Sequence, residues 1–161
     1  MNIVLIAAVL AGSLQATPGS PTSPAVVFVC EHGAAKSVIA TAYFNKLAAE
    51  RGLPYRAMFR GTNPGDSLSA MAVEGLKADG VPIPAGRPTA ISDADVAGAT
   101  HVFAIGCVLP DKARQSGKAE DWSDVPGDNG YAPMRDAIVR HVKQLLDTLA
   151  SASPRRGALQ P

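Results

Sequence analysis

Ala25-Val26-Val27-Phe28-Val29 is an unbroken apolar, mostly β-branched run. Such a run reads as a strand covered on both faces, as in a parallel sheet. From Ser37 to Arg51 the period changes. Val38, Ile39, Ala42, Tyr43 and Leu47 share one helical face, and Gly52 is a natural stop. Tyr55 to Arg60 reads as a second strand, and Gly61-Thr62-Asn63-Pro64-Gly65 as a loop. Asp66 or Ser67 is positioned to cap a second helix. Leu68, Met71, Ala72, Gly75 and Leu76 keep its period, and Gly80 ends it.

The stretch from Gly80 to Thr89 is too rich in Pro and Gly to be regular. A short helix is expected near Ser92 to Ala97, and His101-Val102-Phe103-Ala104-Ile105 reads as a third buried strand. Residues 108 to 132 read as loop. Pro133 suits a first helical position. Met134, Ile138, Val142, Leu145, Leu146 and Leu149 then form the inner face of a final helix. This alternation predicts an α/β fold, a parallel sheet with helices on both faces. Ligands of such sheets bind outside the carboxyl ends of the strands. Cys30 and Cys107, the two cysteines of the chain, both fall at such ends.

The termini differ from this pattern. Residues 1 to 24 contain no Lys, Arg, Asp or Glu, and Ile3 to Ala11 is a short apolar run. The segment reads as a signal peptide ending near Ala16, with residues 17–24 as a flexible linker before a domain at 25–150. Export to the periplasm or outside the cell is the expectation. The alternatives are a buried N-terminal strand or a start codon placed too far upstream, in which case the protein is cytoplasmic. Residues 151–161 are expected to be a disordered tail. With 161 residues, 47% of them apolar, and a net charge near +1, one globular domain is implied. No basic surplus points to nucleic acid, and no apolar run is long enough for an ordinary membrane span.

The chemistry concentrates in Cys30-Glu31-His32-Gly33-Ala34-Ala35-Lys36-Ser37. A helix start exposes unpaired N–H groups at a positive dipole end. Small residues at Gly33, Ala34 and Ala35 let the backbone curl, so that the amides from Glu31 to Ser37 converge on an oxyanion. A helix start of this kind favours the thiolate form of a cysteine at its mouth. Lys36 adds a cation, and Ser37 a hydroxyl able to donate to the sulfur.

These residues resemble the signature of the low-molecular-weight protein tyrosine phosphatase family, including its thioredoxin-linked arsenate reductase branch. The family carries Val-x-Phe-Val-Cys, five residues, then Arg-Ser. Here Val26-Val27-Phe28-Val29-Cys30 is followed by five residues and Lys36-Ser37, with Lys for Arg. Gly61-Thr62-Asn63-Pro64 is similar to the family's loop after the second strand, and Trp122-Ser123-Asp124-Val125-Pro126 to its late acidic loop. The resemblance spans about residues 25 to 150. It implies a three-layer α/β/α fold with about four parallel strands.

It also implies a cysteine phosphatase acting on phosphate monoesters of the phosphotyrosine type through a phosphocysteine, with no cofactor and no metal. Cys30 would be the nucleophile, Ser37 the thiolate donor and Lys36 the cation. Asp124 would be the general acid and base. The family's aspartate directly precedes proline, whereas Val125 intervenes here, so Asp121 and Asp128 are alternatives. Lysine offers a compact charge where arginine offers a planar fork, so a slower phosphatase or a site tuned to another oxyanion is expected.

Two other functions stay open. One is an arsenate or related oxyanion reductase cycling Cys30 with Cys107 or with an external thiol reductant. The branch's third relay cysteine is replaced by Arg114. The other is a non-catalytic oxyanion-binding module that a Cys30–Cys107 disulfide could close. The expected partners are a small phosphorylated or oxyanion substrate and a thiol, with no nucleic acid and, after processing, no membrane. His32 is a candidate for tuning the nucleophile and Tyr131 for the pocket mouth. His101 and His141 carry no signal beyond structure.

Overall fold

A computed structural model describes residues 25–127 and 129–152. The expected signal peptide and linker, Asp128, and the tail beyond Ala152 lie outside the described residues. The strands are β1 (Ala25–Cys30), β2 (Arg56–Gly61), β3 (Ala99–Ala104) and β4 (Ala119–Asp121). The helices are α1 (Lys36–Glu50), α2 (Ala70–Ala78), α3 (Asp93–Gly98), α4 (Asp111–Arg114) and α5 (Tyr131–Ala152). The sheet is parallel throughout, in the order β2-β1-β3-β4.

β1 is central, which is why its apolar run is continuous. Side chains alternate across a strand. Val26 and Phe28 enter the larger core with Ile39 and Phe44 of α1 and Ile138, Val142 and Leu146 of α5. Val27 and Val29 enter the opposite core with Val96 of α3 and Ala113 of α4. The molecule is therefore three layers: α1, α2 and α5 on one face, α3 and α4 on the other. Cys30 has the parity of Val26 and Phe28 and so belongs to the α1/α5 side.

Several boundaries differ from the sequence expectation for physical reasons. The 108–132 region is not all loop. It holds α4 and the edge strand β4, which pairs with Val102 to Ala104. Neither Asp66 nor Ser67 caps α2. The helix starts at Ala70 after Ser69, because residues 62 to 69 are held against the loop after β1. α5 starts at Tyr131, two residues before Pro133, and continues through Ser151 and Ala152, residues expected in the tail. The short helix near 92–97 is present as α3. Ser92 accepts from the Asp95 amide, and the Asp95 side chain accepts from the Ser92 amide in return.

Candidate active site

The loop from Cys30 to Lys36 is shaped from outside by residues 61–69. The carbonyls of Cys30, Glu31, His32 and Ala34 accept hydrogen bonds from the amides of Thr62 (3.1 Å), Asn63 (2.8 Å), Gly65 (3.0 Å) and Ser69 (2.9 Å). A trans peptide points its N–H opposite to its C=O. The amides of Glu31, His32, Gly33 and Ala35 are thereby turned away from the bracing segment. Two glycines make the brace possible. A Cβ on Gly33 would lie 2.8 Å from the Gly61 amide nitrogen, and one on Gly61 would lie 2.9 Å from that of Gly33. Gly33 also has a positive φ of 60°, which an L side chain adopts only with strain.

The start of α1 completes the cradle. Its N-cap is Ala35, which has no side-chain acceptor, so no side-chain cap satisfies the first amides of the helix. They remain available to an external anion at the positive end of a 15-residue helix. The Cys30 Sγ lies 3.1 Å from the Ser37 Oγ. Ser37 is fully buried. When the sulfur is a thiolate, the hydroxyl is the donor. Cys30, Glu31, His32, Ala34, Ala35 and Lys36 line a cavity of about 410 Å³. Ser69, Met71, Ile105, Gly106, Gly127 and Met134 complete its wall. The Cys30 thiol, the Ser37 hydroxyl, the Lys36 side chain and the loop backbone are brought together here.

Lys36 reaches across this cavity. Its Nζ donates to the Val125 carbonyl at 3.2 Å. A Cβ on Gly106 would lie 2.8 Å from that nitrogen, and one on Gly127 3.7 Å. His32 Nδ1 lies 3.1 Å from the Asn63 carbonyl, so that ring nitrogen carries the proton.

The acidic loop is not arranged as expected. Trp122 and Val125 are buried in the larger core. The Trp122 ring stacks on His141 with centroids 4.7 Å apart. Asp124 turns to α5, where its carboxylate lies 2.7 Å from His141 Nε2 and 3.5 Å from Arg140. The His141 hydrogen bond holds the Asp124 carboxyl below its usual range. Asp124 does not line the Cys30 cavity. Asp121 lines a different one, beside Cys107.

Cys107 is half-buried among Val27, Val29 and their neighbours, on the sheet face opposite Cys30. Its Sγ donates to the Val29 carbonyl at 3.4 Å. Burial pushes its thiol up to about 11. The two thiols are free and face separate cavities.

Tyr131 is not among the residues that line the cavity. Its ring covers Gly75, where an added Cβ would lie 2.4 Å from ring carbons. Its hydroxyl donates to Asp79 at 2.8 Å, alongside Tyr43 at 2.6 Å and Arg135 at 2.8 Å. These donors, Tyr43 foremost, lower the Asp79 carboxyl to about 2. This cluster ties α1, α2 and α5 together beside the site. The sequence does not announce it, because its members are dispersed and its anchor, Asp79, reads as an ordinary helix-end residue. His101 stacks on Phe103 at the far side of the core.

A cysteine set on an amide-lined loop between β1 and α1 is what the comparison with known families tests. Residues 25–118 match the family described as low molecular weight phosphotyrosine protein phosphatase. The chain belongs to this family. Solved structures agree on the fold. A low molecular weight protein tyrosine phosphatase from T. tengcongensis superposes with a TM-score of 0.65 at 21% identity, over 81% of this chain and all of that one. The YwlE arginine phosphatase from Geobacillus stearothermophilus gives 0.67 at 19% identity, over 85% of this chain and 99% of that one. A thioredoxin-dependent arsenate reductase from Corynebacterium glutamicum gives 0.68 at 20% identity, over 83% of this chain. The chain spans 65% of that reductase's length. No curated protein sequence matches the chain.

Proposed function

We propose that this member of the family hydrolyses phosphate monoesters through Cys30. The single observation that carries the reading is the Cys30–Ser37 pair, 3.1 Å apart, at the mouth of the braced amide loop. The Cys30 thiolate attacks phosphorus, an S–P bond forms, and the ester P–O bond breaks. The leaving oxygen departs as the alkoxide or aryloxide and takes its proton from solvent water. Water then attacks the phosphocysteine, the S–P bond breaks, and inorganic phosphate and the thiolate are released. The loop amides neutralise charge on the non-bridging oxygens in both steps, which is where preorganised donors act most strongly.

Asp124, committed to His141 and Arg140, is not poised to protonate a leaving group. Substrates with acidic leaving groups, such as aryl phosphates, are therefore turned over much faster than alkyl phosphates. Met71, Ile105 and Met134 give the cavity an apolar wall beside the His32 ring, and a phosphotyrosine-like ring would pack against these side chains. The test is aryl phosphate turnover under reducing conditions by wild type and Cys30→Ser. The reading requires turnover that Cys30→Ser abolishes. A folded wild type that does not turn the substrate over refutes it.

Cys107 supports a reductase cycle less well, because its thiol faces the other side of the sheet. Arsenate with a small thiol forms the second arm of the same assay. Export, read from the charge-free N-terminal segment, would place Cys30 in an oxidising compartment. N-terminal sequencing of the mature protein checks that reading.

A further inference from the structure

Lys36 lines the Cys30 cavity, and the structure ties its ammonium to the fold. One of its donors is taken by the carbonyl of Val125, 3.2 Å away. Val125 is not a mobile surface residue. Its side chain is buried beside Trp122, Met134 and Ile138. The Trp122 amide donates to Ala104 at 2.8 Å, and the Val125 amide donates to Trp122. Residues 122–127 therefore form a compact turn whose cavity-facing edge is held by Lys36. Gly106, with a φ of 65°, and Gly127 leave the space through which the lysine chain passes, since a Cβ on Gly106 would meet Nζ at 2.8 Å.

An ammonium carries three donors that rotate freely, whereas a guanidinium fixes its donors in one plane and spends them as a pair on one planar partner. Lys36 also lines the cavity that holds Cys30. One N–H satisfies Val125, and the remaining N–H groups are free to meet an oxyanion in the cradle. We infer that Lys36 bridges the bound oxyanion to the 122–127 turn, so that occupancy of the cradle and closure of the turn reinforce each other. This rests on the reading of the Cys30 loop as an oxyanion site.

Such coupling is reciprocal. If the anion stabilises the closed turn, the closed turn raises anion affinity by the same factor, typically about 5-fold or more. Lys36 then provides a grip shared between anion and protein.

The test is backbone hydrogen exchange over 122–127 in wild type and Lys36→Met, each with and without inorganic phosphate, with phosphate occupancy measured by calorimetry. Without phosphate, the turn is expected to exchange faster in Lys36→Met than in wild type, because the tether to Val125 is gone. Equal exchange in the two unliganded proteins overturns the inference, and this arm needs no anion binding. With phosphate at matched occupancy, exchange is expected to slow by about 5-fold in wild type and to stay unchanged in Lys36→Met. Equal slowing in both proteins overturns the bridge, and so does bound phosphate that leaves wild-type exchange unaltered. Absence of phosphate binding to wild type refutes the oxyanion-site reading itself and the bridge with it. The unliganded arm still reads the tether to Val125 separately.

Discussion

Replacing Gly61 with alanine tests how the cradle is held. Gly61 sits at the end of β2, pinned on its outer edge by its amide to Thr89 (2.9 Å) and its carbonyl to Ile91 (3.0 Å). A Cβ there would lie 2.9 Å from the Gly33 nitrogen and 3.0 Å from both the Glu31 oxygen and the His32 carbonyl carbon. All three are backbone atoms, so no side chain can swing aside. Comfortable contact begins near 3.5 Å, and relief therefore requires a shift of about 0.5 Å. With β2 pinned, the Cys30 loop is the part that moves. Overpacking of this kind costs about 1–3 kcal/mol, while displacement of reacting groups by up to about 1 Å costs as much as 10²-fold in rate.

Gly61→Ala is therefore expected to lower the urea midpoint and to reduce kcat/KM for an aryl phosphate by about 10- to 100-fold. Gly52→Ala is the control. Its φ of 64° carries a backbone cost of about 1 kcal/mol, but nothing lies within 4 Å of the added Cβ. It should lose stability and keep its activity. If Gly61→Ala retains wild-type kcat/KM, the claim that residues 61–69 set the cradle is wrong.

Three further outcomes follow from the same geometry. Ser37→Ala removes the hydroxyl beside Cys30, a bond to a charged acceptor worth about 1.5–3 kcal/mol, so turnover should drop by about 10- to 100-fold; an unchanged rate with the fold intact removes Ser37 from the chemistry. Asp79 titrates near 2 when folded and near 3.8 otherwise. Its contribution is present above about pH 4 and lost as pH falls through 2, so Asp79→Asn should unfold at a lower temperature than wild type at neutral pH, with the gap closing near pH 2. A constant gap across that range would contradict the assignment. Cys107→Ala should leave phosphatase turnover unchanged, since Cys107 lines a different cavity from Cys30; a tenfold loss would return Cys107 to the mechanism.

The part of the fold legible in the sequence is the part written in burial. β1 is covered on both faces, so its run is unbroken, and the loop behind it is legible from Gly33, whose φ of 60° and close approach to Gly61 leave no room for a side chain. β4 escaped because its bonds are main-chain bonds to β3 and two of its three residues, Glu120 and Asp121, are exposed. The start of α2 was misplaced because Gly65 and Ser69 spend their amides bracing His32 and Ala34, and that demand comes from a segment more than 30 residues upstream.

The orientation of Asp124 was equally hidden. Acid and loop are visible in the sequence, but its partner His141 lies 17 positions away on a helix face, and a histidine there carries no sign of a pairing. Lys36 is visible in the sequence as a cation at the start of α1. What it reaches, the Val125 carbonyl 89 positions on, emerges only in three dimensions.

The central claim is that Cys30 bonds covalently to phosphorus. It is tested most directly by acid-quenching wild type during aryl phosphate turnover and mapping phosphate by peptide mass spectrometry. The account predicts a phosphoryl group on the peptide containing Cys30, absent in Cys30→Ala. Turnover that proceeds with no phosphorylated Cys30 peptide, or that survives in Cys30→Ala, would contradict it.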